Sequence, residues 1–230
     1  MIPQPGSLPS YSAEKLAQTT APELLRLLIR NEDRVPRSLI DECARRGEAM
    51  LDLLEDVLRK DYYWEDPGMG EWWLRLHAAM ILGLMPDARA GELLVGYMRR
   101  IDEVHDEDLH DWLGGRFAAF FRNKPAGVMV SVRALAEDRG RSASMRSNAT
   151  DAAVAYAESR GETELNEALG WVARMAFDPG QDLELRAFAG NSAAHTLPAK
   201  GSASRSVRST TFYTRSGRGE AADPVEQRRG

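Results

Sequence analysis

The chain has 230 residues, of which 43% are hydrophobic and 28% are charged, and its formal net charge is −5 at pH 7. This composition is that of an ordinary globular domain large enough for a substantial core. The negative net charge gives no reason to expect nucleic-acid binding over the whole surface.

Cysteine content and hydropathy exclude several other classes of protein. Cys43 is the only cysteine, so neither an intrachain disulfide nor a C-x-x-C zinc motif can form. No stretch approaches the roughly 18 apolar residues that a membrane span needs. The N-terminus lacks the basic-then-apolar pattern of a secretory signal. We therefore expect a cytoplasmic protein without a membrane contact.

The N-terminal part of the chain predicts a short lead-in followed by helices. Residues 1–19 are rich in Pro, Ser and Thr and are expected to be extended. A helical domain is expected over residues 20–197. Its first helix begins at Thr20, with Pro22 in the first turn and Glu23 at the capping-box position. Two further helices are expected before residue 60.

The stretch from Trp72 to Arg100 predicts two amphipathic helices joined by a tight break. Side chains at helical spacing form one face of the first helix: Trp73, Leu76, His77, Met80, Ile81 and Leu84. Pro86 ends that helix, and Asp87 is a suitable N-cap for the next one. Because the break is short, the second helix must fold back antiparallel on the first.

Weaker versions of this helical hairpin follow downstream. Ala126–Met129 follows a proline break as Ala90–Leu93 does, at an offset of 36 residues. Met145–Ala149 and Leu185–Ala189 correspond at an offset of 40 residues. An isolated hairpin cannot bury both apolar faces, so a period of 36–40 residues with two helices per unit predicts stacked repeats.

The period, the breaks and the segments Leu76–Gly83 and Leu185–Ala189 resemble HEAT-like repeats. This resemblance implies an all-α fold, a short right-handed α-solenoid of antiparallel helix pairs with about 8–10 helices. The chain is also similar to a bacterial family of unknown function whose members often carry a C-terminal SEC-C zinc motif. Leu51–Val57, Trp72–Gly83 and Ala90–Met98 carry that similarity. The motif needs a cysteine cluster, which this chain lacks.

Residues 198–230 predict a disordered basic tail. The segment from Thr196 to Gly230 has seven Lys+Arg and three Asp+Glu, a charge of +4, so the rest of the chain carries −5 − 4 = −9. It has too few large apolar residues to offset the entropy of ordering. Phe212 and Tyr213 lie among its basic residues, a composition that single-strand binders sometimes use.

An aromatic loop precedes the strongest hairpin. Tyr62, Tyr63 and Trp64 lie in this loop, and Trp72 opens the next helix. Tyrosine and tryptophan are favoured at interface hot spots, so these four residues are the candidate partner-binding residues. The alternative is that the rings fill the seam between the N-terminal helices and the repeats.

The sequence predicts no catalytic residue, no bound cofactor and no metal site. His77 is assigned a packing role with one hydrogen-bond partner. His105 and His110 lie in an acidic connector, but their five-residue spacing suits one helical face poorly, and acidic residues are also expected at a helix start. Cys43 shows no sign of an activated nucleophile.

We therefore expect a non-catalytic protein-binding or scaffold module that uses the concave surface of the solenoid. Its acidic body favours a basic or mixed-charge protein partner. Two alternatives stay open. One is an enzyme or enzyme subunit with an unrecognised site between repeats. The other is a nucleic-acid accessory protein that binds through the basic tail.

Overall fold

The structure, a computed structural model, describes residues 9–196, and side chains as far as residue 191. The described residues form eleven α-helices, two short 3-10 turns and no β-strand, which confirms the all-α prediction. The helices are α1 Ala13–Gln18, α2 Ala21–Asn31, α3 Arg37–Arg45, α4 Glu48–Arg59, α5 Met69–Leu84, α6 Ala88–Val104, α7 Glu107–Phe120, α8 Val128–Glu137, α9 Ala143–Arg160, α10 Glu162–Phe177 and α11 Leu183–Thr196. Within this range, no helix combines the length and the apolarity that a bilayer crossing requires.

Helix α1 corrects the expected extended lead-in over residues 1–19. Ser12 caps this helix by accepting a hydrogen bond from the backbone N–H of Lys15 at 3.2 Å. Leu16 is buried, and Arg46 donates to its carbonyl oxygen at 2.8 Å. A cap, one buried side chain and a contact with α3 therefore hold a helix where composition suggested none. The tail predicted over 198–230 lies outside the described residues.

The helices contact one another in two series. In one series α3 packs on α5, α5 on α7, α7 on α9 and α9 on α11. In the other α2 packs on α4, α4 on α6 and α6 on α8. Consecutive helices also contact across the series, as α5 does with α6 and α9 with α10. Each helix from α5 to α9 thus lies against a helix two places before it and one two places after it or a consecutive neighbour.

Glycines allow some of these helices to approach closely. A Cβ atom on Gly70 of α5 would lie 2.6 Å from the carbonyl oxygen of Ile29 in α2. A Cβ atom on Gly91 of α6 would lie 2.7 Å from a methyl carbon of Val128 in α8. Real Cβ atoms do not reach such distances, so the α2–α5 and α6–α8 contacts depend on the absence of a side chain.

One pair of contacts recurs after 40 residues. Arg146 in α9 donates from Nε to the carbonyl oxygen of Ala136 at 2.9 Å, ten residues earlier. Arg186 in α11 donates from Nε to the carbonyl oxygen of Ala176 at 3.1 Å, also ten residues earlier. Each arginine therefore links the start of its own helix to the end of the helix before it.

The loops that precede these arginines repeat as well. The carboxylate of Asp138 accepts from the backbone N–H of Gly140 at 2.9 Å. The carboxylate of Asp178 accepts from the backbone N–H of Gly180 at the same distance. Loop and helix start are thus built twice from matching contacts, with the same spacing in the chain.

A buried lysine ties α7 to the end of α5. Lys124 has no exposed surface, and its Nζ donates to the carbonyl oxygens of Leu82 at 2.8 Å, Gly83 at 3.2 Å and Met85. These carbonyls end a helix and have no partner within it. Arg160 in turn donates to the carbonyl oxygen of Lys124 at 2.9 Å, which ties α9 to the turn after α7.

Candidate functional site

A surface pocket of about 410 Å³ lies where the start of α3, α5 and α7 meet. Its size falls in the range of small-molecule and side-chain pockets. We call it the aromatic pocket; its lining residues are Asp33, Val35, Arg37, Ile40, Trp73, Leu76, His77, Met80, Trp112 and Arg116.

Six of the lining residues occupy matching positions in successive units. Each unit supplies two residues four apart, and the pairs follow one another at 39–40 residues: Asp33 and Arg37, Trp73 and His77, Trp112 and Arg116. Residues four apart lie on the same helix face. The pocket therefore arises where the repeat period places the same face of three neighbouring segments side by side.

Tryptophan rings form one wall of the pocket. The rings of Trp73 and Trp112 meet edge to face, with centroids 5.6 Å apart and an interplanar angle of 75°. Trp72 packs on Trp73 in the same manner at 5.0 Å. Trp112 is 49% exposed although it is one of the largest apolar side chains in the chain. A half-exposed indole at the edge of a pocket is typical of a binding hot spot.

His77 lies behind these rings and is only 6% exposed. Its ring stacks against Trp73, with centroids 6.2 Å apart. Burial lowers the pKa of His77 to about 4, and the nearby carboxylate of Asp33 opposes that shift only in part. The imidazole is therefore neutral at pH 7. Its buried Nδ1 atom has no hydrogen-bond partner among the described residues, so the single partner expected from the sequence is absent.

Two arginines stand at the rim of the aromatic pocket. Arg37 forms an ion pair with Asp41 in the next turn of α3, with an N–O distance of 2.7 Å. Arg116 donates from Nε to the carbonyl oxygen of Trp112 at 3.2 Å. Among the residues that the structure describes, no carboxylate forms an ion pair with Arg116. The terminal nitrogens of Arg116 are thus the positive group at this rim that lacks a counter-ion in the described chain.

Trp64, one of the four candidate partner-binding residues, lies in the interior and is 4% exposed. Its Nε1 donates to the carbonyl oxygen of Val57 at 2.9 Å, and its ring packs against Tyr97 with centroids 5.4 Å apart. The guanidinium groups of Arg75 and Arg100 lie 5.1 Å and 5.8 Å from the ring centroid. This ring fills the seam between the loop and α5 and α6, which is the packing alternative, and a partner cannot reach it in this conformation.

The other three candidates differ in accessibility. Tyr62 is 67% exposed, and its hydroxyl donates to the carboxylate of Glu71 at 3.0 Å. Tyr63 is partly buried beside Tyr62, with ring centroids 5.1 Å apart. Trp72 is partly buried against Trp73, at the edge of the aromatic pocket. Tyr62 and Trp72 thus remain available at the surface, in different surroundings.

The acidic connector has a structural part in the helix starts. Asp106 caps α7 by accepting from the N–H of Leu109 at 2.8 Å. His110 Nε2 lies 2.7 Å from the hydroxyl of Ser144 and 3.1 Å from the side-chain nitrogen of Asn148. His105 ends α6 in a left-handed conformation. Over residues 9–191, no three His, Cys, Asp or Glu side chains come together in an arrangement that could hold a metal ion.

Other groups with displaced pKa values lie apart from the aromatic pocket and from one another in the chain. Burial raises the pKa of the Cys43 thiol in α3 to about 12, which keeps it protonated. Burial lowers the pKa of Lys124 to about 8 and raises that of Asp151 in α9 to about 6. None of the three lines the aromatic pocket, so they do not supply it with an acid, a base or a nucleophile.

A second groove, of about 610 Å³, lies between α8 and α10 over α9. Its charged side chains are already paired within the protein. Arg133 lies 3.2 Å from the carboxylate of Glu167, and the guanidinium of Arg160 lies 4.8 Å from the ring centroid of Tyr156. This groove therefore offers a partner less unpaired charge than the aromatic pocket does.

Comparison with protein-family models, curated proteins and solved structures finds no match for this chain. The site is thus defined by its own geometry. Trp112, Arg37 and Arg116 were not among the residues singled out from the sequence. The signal that could have found them is the spacing: Trp112 follows Trp73 by 39 residues, close to the repeat period.

Proposed function

We propose that this protein is a non-catalytic protein-binding module built on a short right-handed α-solenoid of HEAT-like repeats. Two series of helices that each contact the next but one support the stacked arrangement. The contact of Arg146 with Ala136, repeated by Arg186 with Ala176, supports a structural unit of 40 residues. Stacked units of this kind present long surfaces on which partners bind.

The observation that carries the binding function is the aromatic pocket with its half-exposed Trp112. A wall of tryptophan rings beside apolar side chains and arginine has the composition of a protein-interface hot spot. An enzyme would need titratable groups that converge on one place. Here the groups with displaced pKa values are divided among separate helices, which favours binding over catalysis.

The charge distribution favours a partner of mixed charge. The body without its tail carries −9 by composition, and that field attracts basic groups. The rim of the aromatic pocket holds Arg116, which attracts an acidic group. A partner with a basic surface around a local acidic segment would satisfy both requirements.

The test is a low-salt affinity capture with the full chain, read out by quantitative mass spectrometry. Trp112→Ala removes the exposed ring of the pocket, and Val130→Ala removes a 72% exposed apolar side chain on α8 as a matched control. We expect a specific partner to be lost at least 10-fold with Trp112→Ala and retained with Val130→Ala. Equal capture by both variants, with unchanged helical circular dichroism, would refute the pocket as the binding surface.

A further inference from the structure

We infer that the aromatic pocket binds an aromatic side chain of the partner that has a carboxylate beside it, and that Arg116 holds this carboxylate. The inference rests on the proposed function and specifies the chemistry of the partner segment. It follows from the apolar lining of the pocket, from the charge at its rim and from the polar atom on its floor.

The apolar lining suits one large planar side chain. Leu76, Met80 and Ile40 supply aliphatic surface, and the exposed face of Trp112 supplies an aromatic one. Offset-stacked and edge-to-face contacts of aromatic rings contribute beyond the area they bury. The thioether of Met80 adapts its shape to a ring, and sulfur–aromatic contacts are favourable.

The charge at the rim decides the sign of the neighbouring group. Asp41 already pairs with Arg37, whereas no described carboxylate pairs with Arg116. A guanidinium group binds a carboxylate through two parallel hydrogen bonds, and such charged bonds are stronger than neutral ones. Asp33 is the acidic group that lines the pocket, so a carboxylate is expected on the α7 side, at Arg116, and not on the side of Asp33.

The floor of the pocket contains an unmet hydrogen-bonding atom. His77 lines the pocket and is more than nine-tenths buried, and its Nδ1 has no partner among residues 9–191. Buried polar atoms without a partner are rare in folded proteins and call for a reason. A polar group carried into the pocket, such as an indole N–H, would reach the histidine ring from the open side.

The probes are N-acetyl-tryptophan, which carries a carboxylate next to its indole, and N-acetyl-tryptophanamide, which is the neutral equivalent. Each is titrated to 20 mM into the uniformly ¹⁵N-labelled full chain, and the indole N–H signals of the five tryptophans are followed. Trp73→Phe and Trp112→Phe assign the two pocket signals. Trp171, which is buried on α10, is the internal control.

We expect the signals of Trp73 and Trp112 to move while that of Trp171 stays in place. The acid should bind about 10-fold more tightly than the amide, because a charged hydrogen bond is replaced by a neutral one. Arg116→Gln should remove this preference. Arg133→Gln, at an arginine of the second groove, should retain it.

Equal binding of acid and amide, or no movement of the pocket signals by 20 mM, would overturn the inference. The proposed function is judged separately by the capture experiment. If Trp112→Ala loses a partner while the acid shows no preference over the amide, the binding function stands and the assigned partner chemistry fails. If neither experiment responds to the pocket variants, both fail.

Discussion

The Nζ atom of Lys124 lies 2.8 Å from the carbonyl oxygen of Leu82, fully buried and 42 residues away along the chain. A lysine in the interior is costly unless its charge is compensated. Here the carbonyls at the end of α5 supply that compensation, since the C-terminal end of a helix attracts positive charge. One side chain thus does for α5 what the helix cannot do for itself.

Replacement of this lysine should destabilise the protein. Lys124→Met leaves the carbonyl oxygens at the end of α5 without their donor, and we expect a loss of about 2 kcal/mol in the free energy of unfolding. Lys60→Met is the matched control, because Lys60 pairs with Asp56 at the surface and should change stability by less than about 0.5 kcal/mol. Urea denaturation followed by circular dichroism measures both. Equal effects would contradict the assigned role.

The free energy of unfolding should depend on the pH through His77. Its pKa is about 4 in the folded protein and 6.5 without burial, so the unfolded chain takes up the proton first as the pH falls. The stabilisation is complete above pH 6.5 and is lost as the pH falls toward 4; at pH 5 the loss is about 2 kcal/mol.

This pH dependence can be isolated with His77→Asn, which does not titrate. The difference in the free energy of unfolding between pH 7 and pH 5 should be about 2 kcal/mol smaller in the variant than in the wild type. Asp33 is present in both, so its own titration largely cancels in the comparison. Identical pH profiles for the two proteins would show that His77 does not titrate as its burial requires.

A buried hydroxyl provides a prediction of the opposite sign. The hydroxyl of Tyr97 is buried without a hydrogen-bond partner, and burial raises its pKa. Removing it in Tyr97→Phe should therefore increase the free energy of unfolding by about 1 kcal/mol. Tyr62→Phe, at an exposed hydroxyl that donates to Glu71, should be nearly neutral. A destabilised Tyr97→Phe would mean that this hydroxyl is in fact satisfied.

Two glycines in helices should respond in opposite directions to alanine. Gly70→Ala places a Cβ atom 2.6 Å from the carbonyl oxygen of Ile29 and should cost about 1–3 kcal/mol. Gly115→Ala, in α7, meets no atom within 4 Å and should gain about 0.5–1 kcal/mol, since alanine favours a helix. Thermal melts of both variants compare them. A gain at Gly70 would contradict the close approach of α2 and α5.

Local signals in the sequence were sufficient to predict most of the helices. Asp87 was predicted to cap α6, and its carboxylate accepts from the N–H of Ala90 at 2.8 Å. Glu23 was predicted to complete a capping box, and it accepts from the N–H of Thr20 at 3.0 Å. Caps and apolar spacing depend on residues a few positions apart, which the sequence shows directly. The α-helix at Ala13–Gln18 was missed because a single buried leucine leaves no periodic pattern.

The placement of the aromatic side chains could not be predicted in the same way. Tyr62 and Trp64 are two residues apart in one loop, yet one is exposed and the other is buried. The hydrogen bond from Trp64 to Val57 and its packing on Tyr97 decide this, and both depend on how the loop folds over α6. Residue type alone does not distinguish an interface anchor from a ring in the core.

The aromatic pocket required the three-dimensional arrangement as well. The spacing of Trp73 and Trp112 matches the repeat period, which aligns them on neighbouring helices. It does not show that the face they share stays open to solvent, or that Arg37 from an earlier segment borders it. Those facts follow from packing between segments distant in the chain.

The contact of Arg146 with Ala136, repeated by Arg186 with Ala176, has a consequence for how such a chain can change in length. Excision of residues 141–180 would leave Arg186 ten positions after Ala136, the separation that Arg146 has now. The new junction would then reproduce an existing one without any redesign. A gene that gains or loses segments of 40 codons at this boundary would encode proteins of different reach with the same joints.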